Sequence, residues 1–154
     1  MMFLNQAEEK KQTINKTKHL LYPYVYVDVS HLSEIFINII SNAIKYTNTG
    51  GVINCDISQT PGKKNGWCDV IITVKDNGNG MPETIIRQLE EIRENGILKE
   101  KEHIGIFNIQ QRLLLLYGKE YGLTVEHVKP SGTAVTICIP KTKGEKGYES
   151  GNYR

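Results

Sequence analysis

Val70–Pro82 reads VIITVKDNGNGMP. Val70, Ile71, Ile72 and Val74 predict a strand buried on at least one face. The run ends on an acid, Asp76, and glycine then stands at every second position, Gly78 and Gly80. Asn77-Gly78 and Asn79-Gly80 are strong turn signals that allow positive φ and close backbone approach. A carboxylate therefore sits at the end of a buried strand, with bare backbone after it. A purine suits that arrangement: the acid accepts from an exocyclic amine, and the glycines let the base lie against the chain. By itself the pattern is more often an ordinary tight loop after a strand, so the decision rests on what flanks it.

The chain has 154 residues, enough for one domain with a real core. With 39% hydrophobic and 23% charged residues its composition is globular. A net charge of +2, with basic and acidic residues interleaved, excludes a nucleic-acid footprint. The three cysteines, Cys55, Cys68 and Cys138, are dispersed with no C-x-x-C spacing. That argues against structural zinc and suits a reducing compartment. Cys55 and Cys138 fall in apolar strand patterns and read as core. No apolar run reaches membrane-spanning length, and no basic-then-apolar leader is present. The composition is that of a cytoplasmic domain.

Residues 1–21 are polar and lysine-rich and read as a frayed helix or linker, the end of an upstream helix. Tyr22–Val29, YPYVYVDV, alternates and predicts an edge strand, since Pro23 bars a central one. Ser30–Thr47 is the clearest helix, with Ser30 as its cap. Leu32, Ile35, Phe36, Ile39, Ile40, Ala43 and Ile44 form its apolar stripe. Glu34, Asn38, Asn42 and Lys45 line a second face, with Tyr46 beside them. That face is either plainly solvated or a metal and phosphate face. In the second case an Asn oxygen is a hard ligand for Mg²⁺, and Lys45 neutralises phosphate.

Val52–Ser58 predicts a strand, Thr60–Gly66 a hairpin loop, and the return strand is the one ending at Asp76. Pro82 opens a weakly amphipathic helix over Glu83–Glu94. Asn95–Glu102 is expected to be mobile. Gly105 opens a further helix in which Leu113–Leu116 must be well buried, and Gly118 stops it. Leu123–Val128 and Thr133–Ile139 form a closing hairpin about Lys129–Gly132. Residues 142–154 read as a disordered tail. The order predicts an α+β layer with helices on one face of a mixed sheet.

Three separated motifs agree with one another. ISNAIKYT, with Asn38 four residues before Asn42, resembles the N box of histidine-kinase ATP-binding domains. VKDNGNGMP resembles their G1 box. HIGIFNIQQRLLLLYGKEYGL followed by SGTAVTICIP resembles their second glycine box and closing strands. The resemblance is to the GHKL superfamily (gyrase, Hsp90, histidine kinases, MutL), and within it to the C-terminal domain of YesM/LytS-like sensor histidine kinases. It covers roughly residues 22–141.

That resemblance implies the Bergerat fold, a two-layer α/β sandwich with ATP held between helices and a mobile lid. It implies Asn42 as Mg²⁺ ligand with Asn38 in support, Lys45 on phosphate and Tyr46 near the nucleotide. Asp76 would accept from the adenine amine, Gly78 and Gly80 would make the G1 turn with Met81 at the ATP site, and the residues after Met81 up to Ile104 would form the lid. Gly105 and the helix start would meet phosphate, Thr133 would reach the adenine side, and Arg112 is a further phosphate candidate. His103 stands where many histidine kinases have the first glycine of their second glycine box.

In the ATP-hydrolysing members a glutamate one turn before the magnesium asparagine is the general base. Here that position is Asn38, which accepts no proton at neutral pH, so poor intrinsic hydrolysis is expected. None of the four histidines, His19, His31, His103 and His127, lies in a phosphoacceptor context. The implied function is the catalytic domain of a membrane-bound two-component sensor kinase. It would pass the γ-phosphoryl to a histidine on a dimerisation domain outside this chain, and from there to a response regulator. The fragment itself would be cytoplasmic and monomeric. The alternatives are an anti-sigma-factor-type serine kinase and a degenerate nucleotide-binding module.

Overall fold

The fold was analysed in a computed structural model that describes residues 2–96 and 105–142. In chain order the elements are α1 (Met2–Glu9), β1 (Thr13–His19), α2 (Val29–Tyr46), β2 (Val52–Pro61), β3 (Trp67–Asp76), α3 (Glu83–Asn95), α4 (Gly105–Tyr117), β4 (Gly122–His127) and β5 (Thr133–Thr142). The strands form one five-stranded sheet in the order β1-β2-β3-β5-β4. β1 runs parallel to β2 and every other pair is antiparallel, so the sheet is mixed. This is the α+β architecture expected.

The alternation of β3 sets the two faces. Cys68, Val70, Ile72, Val74 and Asp76 are buried, while Lys75 is exposed and Asp69, Ile71 and Thr73 are half-buried. Register carries the same division to the neighbours: Val70 stands opposite Ile139, Ile72 opposite Ile137 and Val74 opposite Val135. On the other side Ile53 faces Asp76 and Cys55 faces Val74. The opposite face is polar, with Thr73 and Thr136 hydroxyls 3.2 Å apart and Asn15 bonded to Asn54 at 2.9 Å.

The helices close the apolar face. Ile35, Ile39, Ile40, Ala43 and Ile44 of α2, Ile86, Leu89 and Ile92 of α3, and Ile106, Phe107, Ile109 and Leu113 of α4 are buried. Gln110 is the polar exception, at 1% exposure. Its amide nitrogen donates to Leu123 O at 3.1 Å and Leu89 O at 3.4 Å, and its oxygen accepts from Leu123 N–H at 2.8 Å. One carboxamide thus ties α3, α4 and the start of β4 together.

Several sequence expectations are corrected. The sheet begins at Thr13, not Tyr22: the stretch read as linker holds α1 and β1. Tyr22–Val29 forms no strand of the sheet, only an isolated bridge at Val25, because the place beside β2 is taken by β1 and Pro23 has no N–H to offer. The Leu21 and Tyr22 N–H groups bond the Gln59 side chain instead, while Tyr22 and Val25 pack on the core. The cap of α2 is Asp28 rather than Ser30, its carboxylate accepting from His31 N–H at 3.0 Å. That bond holds the Asp28 carboxyl below its ordinary value.

Leu115 and Leu116 are exposed, at 87% and 55%, since a helix can turn only part of a four-leucine run toward the sheet. Leu113 is buried as expected, and so is Cys55, whereas Cys138 is only half-buried. Of the expected disordered tail, Thr142 instead ends β5 and residues 143–154 lie outside the described residues; of the expected lid, the part after Met81 forms α3 over Glu83–Asn95, and residues 97–104, with His103, lie outside the described residues.

Gln110→Leu should cost about 2–4 kcal/mol, because it strands the buried Leu123 N–H and removes a donor from Leu123 C=O. Urea denaturation should show a lower midpoint with an unchanged slope.

Candidate functional site

α2 presents its second face across the open end of the sheet. Between them lies a cavity of ≈ 710 Å³, within the size range of small-molecule sites. Asn38, Asn42, Lys45 and Tyr46 line it from α2, and Asp76 and Thr133 from the ends of β3 and β5. Gly80, Met81 and Pro82 lead into α3 on one rim, and Gly105 starts α4 on another. Ile39, Ala43, Val74, Val135, Ile85 and Ile106 supply apolar wall. The residue pattern on α2 explains its share: Asn38, Asn42 and Lys45 fall one turn apart beside the core stripe, so the helix buries one face and turns the next toward the cavity.

Asp76 and Thr133 meet through register. Lys75 pairs with Ala134, so the next step brings Asp76 opposite Thr133 on the inner face. Asp76 is 7% exposed and Thr133 7%. One Asp76 oxygen accepts from Gly78 N–H at 2.9 Å. Burial pushes the Asp76 carboxyl above its ordinary value, and the N–H groups of Gly78 and Thr133 pull against that. The result is a partly desolvated acceptor at the floor of a largely apolar recess.

Gly78 does not line the cavity; it shapes it. A Cβ there would stand 2.4 Å from the Tyr46 carbonyl oxygen. The G1 turn can therefore lie against the end of α2, and Asn79 N–H reaches the same carbonyl at 3.4 Å. Gly132 plays a matching part, one that the turn signal Ser131-Gly132 did not disclose. Its φ is +122° and a Cβ would meet the Asp76 carbonyl oxygen at 2.0 Å.

Arg112 is not at the cavity. Its guanidinium bonds Glu34 at 2.7 Å, joining α4 to α2. Glu34, first of the predicted polar row, is thus engaged between helices rather than in the recess. The other predicted residues, Asn38, Asn42, Lys45, Tyr46, Asp76, Gly80, Met81, Gly105 and Thr133, converge there. Lys45 and Tyr46 are exposed, with the Lys45 ammonium 5.2 Å from the Tyr46 ring centroid. Among the described residues no group of three or more His, Cys, Asp or Glu could hold a metal ion. Of the described histidines, His31 pairs with Asp28 at 3.2 Å, His127 with Glu83 at 3.1 Å, and His19 ends β1.

The raised Asp76 carboxyl has a sign. The folded chain holds that proton longer than the unfolded chain does. The stability it contributes is present below the unfolded value, near 3.8, and is lost as pH rises from there through the native value. Asp76→Asn keeps an acceptor for Gly78 N–H and removes the ionisation. Its thermal midpoint at pH 7 should be no lower than wild type, the two converging below about pH 4. A variant less stable at pH 7 would count against a desolvated carboxylate.

Comparison with known proteins agrees with this geometry. Residues 27–143 match the family described as histidine kinase-, DNA gyrase B-, and HSP90-like ATPase. The chain is 32% identical over 146 residues to the sensor protein LytS of Bacillus cereus, covering 94% of this chain and 22% of that one. It is 37% identical over 99 residues to the sensor histidine kinase YesM of Bacillus subtilis, covering 64% of this chain and 15% of that one. It therefore spans about a fifth or less of these relatives. The fold superposes on the nucleotide-free catalytic domain of histidine kinase ThkA with a TM-score of 0.65 at 19% identity, covering 93% of this chain and 88% of that one. With a nucleotide-sized recess walled by the N-box helix and floored by a buried acid, the chain belongs to the histidine kinase-, DNA gyrase B-, and HSP90-like ATPases, as an ATPase domain of the sensor-histidine-kinase type.

Proposed function

We propose that this chain is the ATP-binding catalytic domain of a bacterial two-component sensor kinase. In this reading it donates the γ-phosphoryl group to a histidine on a dimerisation domain, from which a response regulator is served. The observation that carries the reading is the division of chemistry within one cavity: a buried carboxylate on the sheet side, and carboxamides with an ammonium on the helix side. A purine with an exocyclic amine fits the first and a polyphosphate the second.

Each residue then has a task. Asp76 accepts from the adenine amine, with Thr133 beside it, while Gly78 and Gly132 let the neighbouring backbone pack close enough to hold Asp76 in place. Met81 and the apolar wall cover the base. Lys45 meets phosphate charge, Tyr46 borders the nucleotide, and the first N–H groups of α4 from Gly105 onward face the phosphates. Mg²⁺ fits the donor set as an ion carried in by ATP. The Asn42 oxygen is one hard ligand, with phosphate oxygens and water for the rest and Asn38 in support. Bound there, the ion would neutralise charge developing on the phosphates.

Asn38 lines the cavity as a carboxamide and cannot take a proton from water. The site thus holds ATP for a nucleophile brought from elsewhere, and catalysis is positioning and charge neutralisation. Among the described residues no helix is long and apolar enough to cross a membrane. We place the domain on the cytoplasmic side, where ATP is available.

Calorimetric titration with ATP and Mg²⁺ tests the reading. Wild type should bind, and Asp76→Asn should lose about tenfold or more, the worth of a hydrogen bond to a charged acceptor. No steady release of ADP should accompany binding. Absence of binding in wild type would overturn the proposal, and steady ADP release would overturn the part assigned to Asn38.

A further inference from the structure

The turn between α1 and β1 reaches across to the end of α2 that carries Lys45 and Tyr46. The Lys10 ammonium donates to three carbonyl oxygens there: Ile44 O at 2.9 Å, Lys45 O at 2.8 Å and Thr47 O at 3.3 Å. The Gln12 amide nitrogen donates to two of the same oxygens, Ile44 O at 3.0 Å and Thr47 O at 2.7 Å. These are carbonyls that the last turn of a helix leaves without intrahelical partners, at the negative end of its dipole. The contact is mutual at backbone level, since Gly50 N–H donates to Lys10 O and Thr13 N–H to Gly51 O, each at 2.9 Å.

The turn itself is held in place. Lys11 takes a left-handed φ of 51°, Gln12 N–H closes on Ala7 O at 2.9 Å, and Ala7 is buried in the core. Glycine is the usual carrier of that backbone conformation, so a lysine there is a constrained position rather than a loose link. Lys45 needs this support. Its side chain is exposed and its backbone lies in the final turn of α2, the part of a helix that frays first. The base side of the cavity has its own anchor, Asp76 set by the β3 ladder, whereas in the last turn of α2 Asn79 N–H reaches only the Tyr46 carbonyl, at 3.4 Å, and leaves the neighbouring carbonyls to Lys10 and Gln12.

We propose that Lys10, assisted by Gln12, is a positioning residue for the phosphate side of the nucleotide site. It clamps the last turn of α2 and so holds Lys45 where phosphate will lie. This rests on the nucleotide reading above and adds to it a residue some thirty-five positions upstream that touches no ligand. It also makes the α1–β1 segment part of the working site rather than a connector, because any displacement of that turn removes partners from the α2 carbonyls.

Lys10→Met, Lys10→Arg and wild type should be compared by calorimetry with Mg·ATP and with adenosine, and by amide hydrogen exchange over residues 44–47 without nucleotide. The methionine variant should bind ATP about fivefold more weakly, bind adenosine within about twofold of wild type, and exchange faster at the α2 end. Arginine should restore most of the loss. Unchanged ATP affinity in the methionine variant overturns the proposal, and so does an equal loss for both ligands, which is simple destabilisation. If methionine unfolds the domain, Gln12→Ala should show the same split to a smaller degree, and its failure to do so overturns the proposal. Wild type that binds no ATP overturns the nucleotide reading instead, and the exchange comparison then still decides whether Lys10 clamps the helix.

Discussion

Burial of one face of the β2-β3-β5 ladder is the constraint on which the rest depends. Because side chains alternate, a strand with an apolar inner face has only one acceptable register against its neighbours, since a one-residue slip turns the whole set outward. Ile53, Cys55, Val70, Ile72, Val74, Val135, Ile137 and Ile139 fix that register together. Asp76 and Thr133 are the last inward positions of their strands, so the same apolar alternation that makes the core delivers two polar groups to its open end.

The helices answer to the same face. α2, α3 and α4 each bury a stripe, and of the polar residues next to the α2 stripe Asn38, Asn42 and Lys45 border the open end of the sheet. The cavity is thus the place where core packing stops, and its walls are apolar for that reason. Its polar groups are few, and each is placed by an element with its own reason to be where it is. Asp76 is held by a strand and a Gly78 N–H, and the asparagines by a helix with a capped start. Pre-set geometry of this kind suits a site whose chemistry is positioning.

Two tethers tie the layers into one body. Gln110 is buried and bonds backbone of α3 and β4 from α4. Lys10 and Gln12 bond the end of α2 from the α1–β1 turn. Both supply partners to backbone groups that helix and sheet ladders leave open, the Leu123 N–H in the first case and the last α2 carbonyls in the second.

The sequence by itself determined the α+β class, the α2 helix and its two faces, and the strand ending at Asp76. The reason is that these are periodic or local features: apolar spacing reports which face is buried, and glycine and asparagine pairs report turns. Only the tertiary structure decided the rest. β1 is a polar edge strand, so it carries no apolar alternation to betray it, and Tyr22–Val29 has the alternation but makes only an isolated bridge at Val25, since β1 holds the place beside β2. Arg112 looked like a phosphate ligand until packing of α4 on α2 set it against Glu34. Leu115 and Leu116 read as core until the helix turned them away. Gly132 and Lys10 act across long sequence separations, through contacts with Asp76 and with the last turn of α2. No local pattern encodes such contacts; they arise when distant segments are brought to the same few ångströms.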